Sequence, residues 1–271
     1  MKFNKRKLAL LMTGLMLVMS PVSVWADRED AKLEKPYVSL SANDRAIVLK
    51  LLGVTEDDLK NYTVTTITNA DEHKYLDSYL SKSVIGTRAL SSVLVKGKTD
   101  GSGIKVTTYN ITYCTTGMYQ NALATAGIED AEIVVAGPYN ISGTAALVGA
   151  IKSYENMTGE TVSKENVDTA TNELVVTGKL AESVGDSDKA EQLVGAVKEQ
   201  VVEGSDNGKE LTEEEIGNVV DQAAQEMDVQ LSDEDRQEIV DLMDKIKGLD
   251  IDVDSLKEQA KDLYDKIDDL G

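Results

Sequence analysis

The chain has 271 residues with 28 Lys and Arg against 48 Asp and Glu, a net charge of −20. Such a field repels phosphate backbones and no basic patch offsets it, so nucleic-acid binding is excluded. One Cys and one His exclude an intramolecular disulfide, a zinc site of ordinary composition, and any triad chemistry that bypasses that one histidine.

Taken in chain order, Lys2, Lys5, Arg6 and Lys7 precede an apolar run from Leu8 to Met19, and Val24, Trp25 and Ala26 close the segment. This is the pattern of a secretory signal peptide, residues 1–26, cleaved after Ala26. The run is shorter than the ~20 residues of a spanning helix, so no stable membrane span is expected after cleavage. Processing would remove the only Phe and the only Trp, leaving a core of aliphatic residues and Tyr. The remaining chain carries a charge of −24, of which −16 falls within residues 201–271.

Residues 27–36 are charged and end at Pro36, which predicts a flexible leader. Tyr37 to Leu40 is a brief strand candidate. Ser41-x-x-Asp44 resembles a capping box for a helix carrying Ala46, Ile47, Leu51 and Leu52, stopped at Gly53. Thr55-x-x-Asp58 opens a further single turn. Tyr62 to Thr68 alternates and is rich in β-branched residues, predicting a strand. Asn69-x-x-Glu72 is read as the cap of a helix with Tyr75, Leu76, Tyr79 and Leu80 on one stripe.

Two strands follow, Ser91 to Lys96 and Ile104 to Thr112, and Gly97, Asp100, Gly101 and Gly103 between them supply hairpin turn chemistry. A helix runs from Thr116 through Ala126 to Gly127. Ile133 to Ala136 is a continuous apolar run that reads as a buried strand ended by Gly137-Pro138. Ser142-Gly143-Thr144 then open a helix with Leu147, Ala150, Ile151 and Tyr154 at helical spacing.

From Tyr62 onward the order is strand, helix, strand, strand, helix, strand. That is the ferredoxin-like βαββαβ arrangement of an α+β fold, with the strand near Tyr37 as a possible addition. Beyond Tyr154 only helical patterns remain. Ser163, Ser187, Thr212, Ser232 and Asp254 each precede one, and Thr212-x-x-Glu215 and Ser232-x-x-Asp235 are capping boxes. Val253, Leu256, Ala260, Leu263, Ile267 and Leu270 form a narrow heptad seam, too short for a free coiled coil and suited to docking on neighbouring helices. The chain is thus expected to divide into an α+β domain at 37–157 and a helical, acidic domain at 158–271.

Four phrases in order, Glu72-His-Lys-Tyr-Leu76, Ile85-Gly-Thr-Arg-Ala-Leu-Ser-Ser92, Met118-Tyr-Gln-Asn-Ala-Leu-Ala-Thr-Ala-Gly-Ile128 and Ile141-Ser-Gly-Thr-Ala-Ala-Leu147, resemble the domain-of-unknown-function 1002 (YpuA-like) family. The resemblance extends over most of the chain after the signal. It implies an exported protein of a Gram-positive bacterium, located in the envelope or the medium. It supplies no activity, cofactor or catalytic residue set.

Candidate chemistry is sparse. His73 sits in the first turn of a capped helix beside Asp71 and Glu72, the setting of an ordinary surface histidine. Cys114 precedes a helix start, which can activate a thiol, but no Lys or Arg lies within eight residues. An incidental, buried cysteine is the simpler reading. Asp250-x-Asp252-x-Asp254 copies the first ligands of a calcium loop, yet Ser255 stands where Gly is needed and Lys261 where Glu is needed. Acid pairs suited to glycoside hydrolysis are too abundant to discriminate.

Gly137 to Thr144 lacks the Gly-Lys-Ser/Thr ending of a nucleotide loop. Its backbone N–H groups at Ser142, Gly143 and Thr144 could still hold an anion, with Arg88 as the cationic partner. These four residues are the candidate ligand site; no catalytic residue, metal site or cofactor is assigned. The expectation is an exported, non-enzymatic binding or structural module with an envelope or extracellular partner. The alternative is a carboxylate-dependent cell-wall hydrolase.

Overall fold

The computed structural model describes residues 37–39, 45–99, 101–206, 211–249 and 251. The expected signal peptide, leader, Ser41 cap and final heptad seam, and the acidic triplet from Asp250 to Asp254, lie outside the described residues. Among those described, the elements run β1 (Tyr37–Ser39), α1 (Arg45–Leu52), a 3-10 turn (Asp58–Asn61), β2 (Thr63–Thr65), α2 (Asn69–Leu76) and α3 (Lys82–Ile85). They continue with β3 (Ser92–Gly97), β4 (Ile104–Ile111), α4 (Thr116–Thr125), β5 (Ala131–Ile141) and α5 (Thr144–Thr158). Four helices follow: α6 (Lys164–Val184), α7 (Ser187–Asp206), α8 (Glu213–Glu226) and α9 (Asp233–Ile246).

The fold is α+β, with one mixed sheet in the order β2-β1-β3-β5-β4. The ferredoxin-like order is not what this sheet has. β3 and β4, expected as a hairpin, are separated by β5, which pairs antiparallel with β3 and parallel with β4. The glycines between them do make tight turns, with positive φ at Gly101 and Gly103. Their loop closes around Asp130, whose carboxylate accepts from Gly101 N at 3.2 Å, Ser102 N at 2.6 Å and Gly103 N at 2.8 Å. Asp130 immediately precedes β5, so the loop straddles the incoming strand. Turn chemistry therefore specified a tight loop but not adjacent strands.

Side chains alternate across the sheet, as a pleated strand requires. Val93, Val95, Ile133 and Val135 point into the main core, while Leu94 and Ala136 meet α1 through Val48, Leu49 and Leu52. The main core continues without a break into the helices, where Leu174, Leu180, Leu193, Val197, Ile216, Ile239, Leu242 and Met243 join it. α4 sits between sheet and helices and is buried from Gly117 to Thr125.

Because α4 is buried all round, its polar groups must be satisfied internally. Gln120 donates to the Ile104 carbonyl at 2.8 Å and Asn121 to the Glu191 carbonyl at 2.9 Å. Lys198 Nζ lies 2.9 Å from Glu173 Oε1 and donates to the Asn121 carbonyl at 2.8 Å, while Thr125 donates to Glu173 Oε2 at 2.5 Å. Burial pushes the Lys198 ammonium below its ordinary pKa. The expected capping boxes at Thr212 and Ser232 are both formed, with Glu215 and Asp235 as the reciprocal acids.

Candidate functional site

The site is built where β5 turns into α5. β5 does not stop at Gly137-Pro138; it runs to Ile141 through an irregularity. Tyr109 pairs with Ala136 and Ile111 with Ile141, so 137–140 bulge out of register. Gly137 is required there, since a Cβ would lie 2.7 Å from the Tyr139 carbonyl and 2.9 Å from that of Asn110. Asn110, at φ 58°, donates to the Gly137 carbonyl at 3.0 Å. Pairing then resumes, with Thr112 N donating to the Ile141 carbonyl at 2.8 Å and Cys114 N to that of Ser142 at 3.0 Å. The bulge leaves Tyr139 exposed.

Gly143 makes the corner. Its φ of 98° is in the left-handed region, and a Cβ would meet Ile111 Cγ2 and the Tyr119 hydroxyl, each at 2.6 Å. Only glycine fits both constraints. The Tyr119 hydroxyl donates to the Gly143 carbonyl at 2.6 Å and locks the turn from below. Thr144, the first residue of α5, is buried and donates to Glu72 Oε1 at 2.9 Å. Ala146 N, in the first turn of α5, is accepted at 2.9 Å by Ser91 Oγ from the edge of β3.

The opposite wall comes from α2, α3 and the loop that follows. The cap of α2 is Thr68, in a reciprocal box with Asp71, rather than Asn69 with Glu72. Asp71 also accepts from Lys152 Nζ at 2.6 Å, and that contact holds its carboxyl down at about 2. Relieved of capping, Glu72 turns inward beside Leu76, four residues on and equally buried. Asn69 Nδ2 donates to Glu72 Oε2 at 3.1 Å. Burial raises the Glu72 carboxyl above its ordinary value, the hydrogen bonds from Asn69 and Thr144 opposing the shift. After Gly86 the loop carries Arg88, exposed, whose Nη2 donates to the Tyr139 hydroxyl at 3.2 Å.

Between these walls lies a cavity of about 360 Å³. All four residues singled out from sequence, Arg88, Ser142, Gly143 and Thr144, line it. Glu72, Ser91 and Tyr113 line it as well, and none of the three was expected. The i, i+4 match of Glu72 to Leu76 was the available signal for Glu72. Asn69-x-x-Glu72 has the form of a cap as well, and only the Thr68–Asp71 box frees Glu72 from that role. Among the described lining residues Glu72 is the one carboxyl and Arg88 the one cation, and the hydroxyls include Ser83, Thr87, Ser91, Thr112, Ser142 and Thr144.

Cys114 is buried, and its thiol is pushed up to about 12 by that burial. A thiolate is therefore not available for chemistry at neutral pH. His73 is outside the lining, with Nδ1 2.5 Å from Asp77 Oδ1. Among the described residues no group of three or more His, Cys, Asp or Glu is placed to hold a metal ion. No helix among them is long and apolar enough to cross a membrane.

A family profile described as "Protein of unknown function (DUF1002)" matches residues 38–263. The chain is 39% identical over 228 residues to "Uncharacterized protein YpuA" of Bacillus subtilis (strain 168), covering 84% of this chain and 76% of that relative. No solved structure matches it. The profile begins within β1 and runs past α9, so sheet, cavity and helices all fall inside it, and the chain belongs to the DUF1002 family.

Proposed function

We propose that this chain is an exported, non-enzymatic binding protein of the cell envelope or extracellular space, and that its ligand occupies the cavity between Arg88 and the start of α5. One observation carries the reading: a 360 Å³ cavity whose described lining offers a cation, a buried carboxyl and several hydroxyls. This is the size and mixed lining of a small-molecule site. The lining supports binding over hydrolysis because glycoside hydrolysis works with two carboxyl groups facing each other. Glu72 has no second carboxyl opposite it among the described lining residues. Export rests on the basic, apolar and small-residue succession of residues 1–26.

The test is recovery of the protein from culture medium and cell-wall fractions, followed by native mass spectrometry. The expected mass begins at Asp27, the emission is tyrosine-only, and a small molecule stays bound to the wild type. Ser142→Trp, which puts an indole among the lining residues, is expected to lose that molecule while keeping the wild-type circular dichroism. Release of wall fragments by the wild type but not by Glu72→Gln would overturn the non-enzymatic reading in favour of a hydrolase.

A further inference from the structure

The cavity has a polarity that a simple anion site does not have. Glu72 is 1% exposed, whereas Arg88 is exposed at the rim. The carboxyl of Glu72 sits against Thr144, at the start of α5, which is where a bound anion would be drawn by the helix dipole. An anion placed there would face a carboxylate. Conversely, each Glu72 oxygen has one donor, Thr144 Oγ1 for Oε1 and Asn69 Nδ2 for Oε2, and a carboxylate oxygen accepts two. The deep end therefore has acceptor capacity to spare, and the rim carries the cation.

We infer that, given the binding reading above, the ligand is a zwitterion of amino-acid size, its ammonium group held at Glu72 and its carboxylate at Arg88. An ammonium delivers three N–H donors to the unused acceptor directions of Glu72 and to nearby hydroxyls such as Ser91 and Thr144. It also supplies the counter-charge that a buried carboxylate lacks, which a neutral sugar cannot do. Val84, Ile85, Leu90 and Ile141 line the space around the carbon skeleton. At the rim the planar guanidinium of Arg88 suits a carboxylate in two-point contact. Its hydrogen bond to the Tyr139 hydroxyl orients it from one side.

The experiment uses the exported form, residues 27–271, in calorimetric titrations. The probes are alanine, 4-aminobutyrate and 6-aminohexanoate as zwitterions, butyrate as anion alone, butylamine as cation alone, and glucose as a neutral polyol. At least one zwitterion is expected to bind about tenfold more tightly than butyrate, butylamine and glucose. Arg88→Glu, on the exposed rim, is expected to abolish that preference and to favour 1,4-diaminobutane about tenfold. Glu72→Gln is expected to erase the advantage of the amine. Preference for butyrate or glucose in the wild type overturns the zwitterion assignment and leaves the binding reading standing. So does silence of every probe while the natively recovered protein still carries a molecule that Ser142→Trp loses. Silence of every probe with nothing bound natively sinks both.

Discussion

Asp71 accepts from Lys152 and from Thr68, while its neighbour Glu72 is buried among Thr144, Asn69 and apolar side chains. One step along the backbone thus reverses the direction in which a carboxyl is driven. The Asp71 carboxyl is depressed from 3.8 to about 2, so its contribution is present above the ordinary aspartate value and is lost as pH falls through about 2. Glu72 is raised, so it favours the folded state at low pH and loses that effect as pH climbs through its folded value. Asp71→Asn is expected to cost roughly 2 kcal/mol at neutral pH, less at high salt because the pair is partly exposed. It should also flatten the acid limb of the stability curve below about pH 4. Urea titrations from pH 2 to 7 decide it, and an unchanged acid limb would show that the Lys152 contact carries no stability.

At the scale of elements, Gly143 shows what an isolated motif can and cannot announce. Small residues with a hydroxyl on each side marked a corner in the sequence, and the corner is there. The partners that make glycine obligatory, Ile111 and Tyr119, come from β4 and α4 and could not be located from the motif. Gly143→Ala is expected to destabilise by about 2–4 kcal/mol, from left-handed strain together with overpacking. Chemical denaturation measures it, and a loss below about 0.5 kcal/mol would mean that the corner relaxes freely. The same limit explains the sheet. Helix starts and β-branched runs are local, so β3, β4 and α4 were legible to within a few residues and β5 near its start. Strand order is a matter of long-range pairing, β5 between β3 and β4 with Asp130 bound to the N–H groups of 101–103, which periodicity does not encode. The bulge at 137–140 was missed for a related reason. Gly137-Pro138 signals a break in either case, and only the resumed pairing of Ile111 with Ile141 shows that the strand continues.

For the whole molecule, the sequence places every expected strand before residue 157 and only helices after it, and the described elements follow that distribution. The apolar core nevertheless runs across the boundary: α4 packs against α6 and α7, and Leu76 of α2 and Val148 of α5 cluster with Val175 of α6. The Asn121 carbonyl and Thr125 hydroxyl of α4 meet Lys198 of α7 and Glu173 of α6. A buried pair of this kind is costly to break, because the surviving charge has no water to turn to. Lys198→Met is therefore expected to destabilise by about 3–5 kcal/mol, leaving Glu173 uncompensated. The double variant Lys198→Met with Glu173→Leu should recover most of that loss, since apolar pairs of similar volume replace buried ion pairs with little penalty. The position of the pair predicts more than its magnitude. If α4 couples sheet and helices, thermal unfolding should remain a single transition in both variants, and its midpoint should shift as one. Circular dichroism at a helical wavelength and near-ultraviolet tyrosine signals, followed together, test this. Transitions that separate for the two probes would show instead that 37–157 and 158–271 fold as independent units, and limited proteolysis should then leave a fragment of about 27–157.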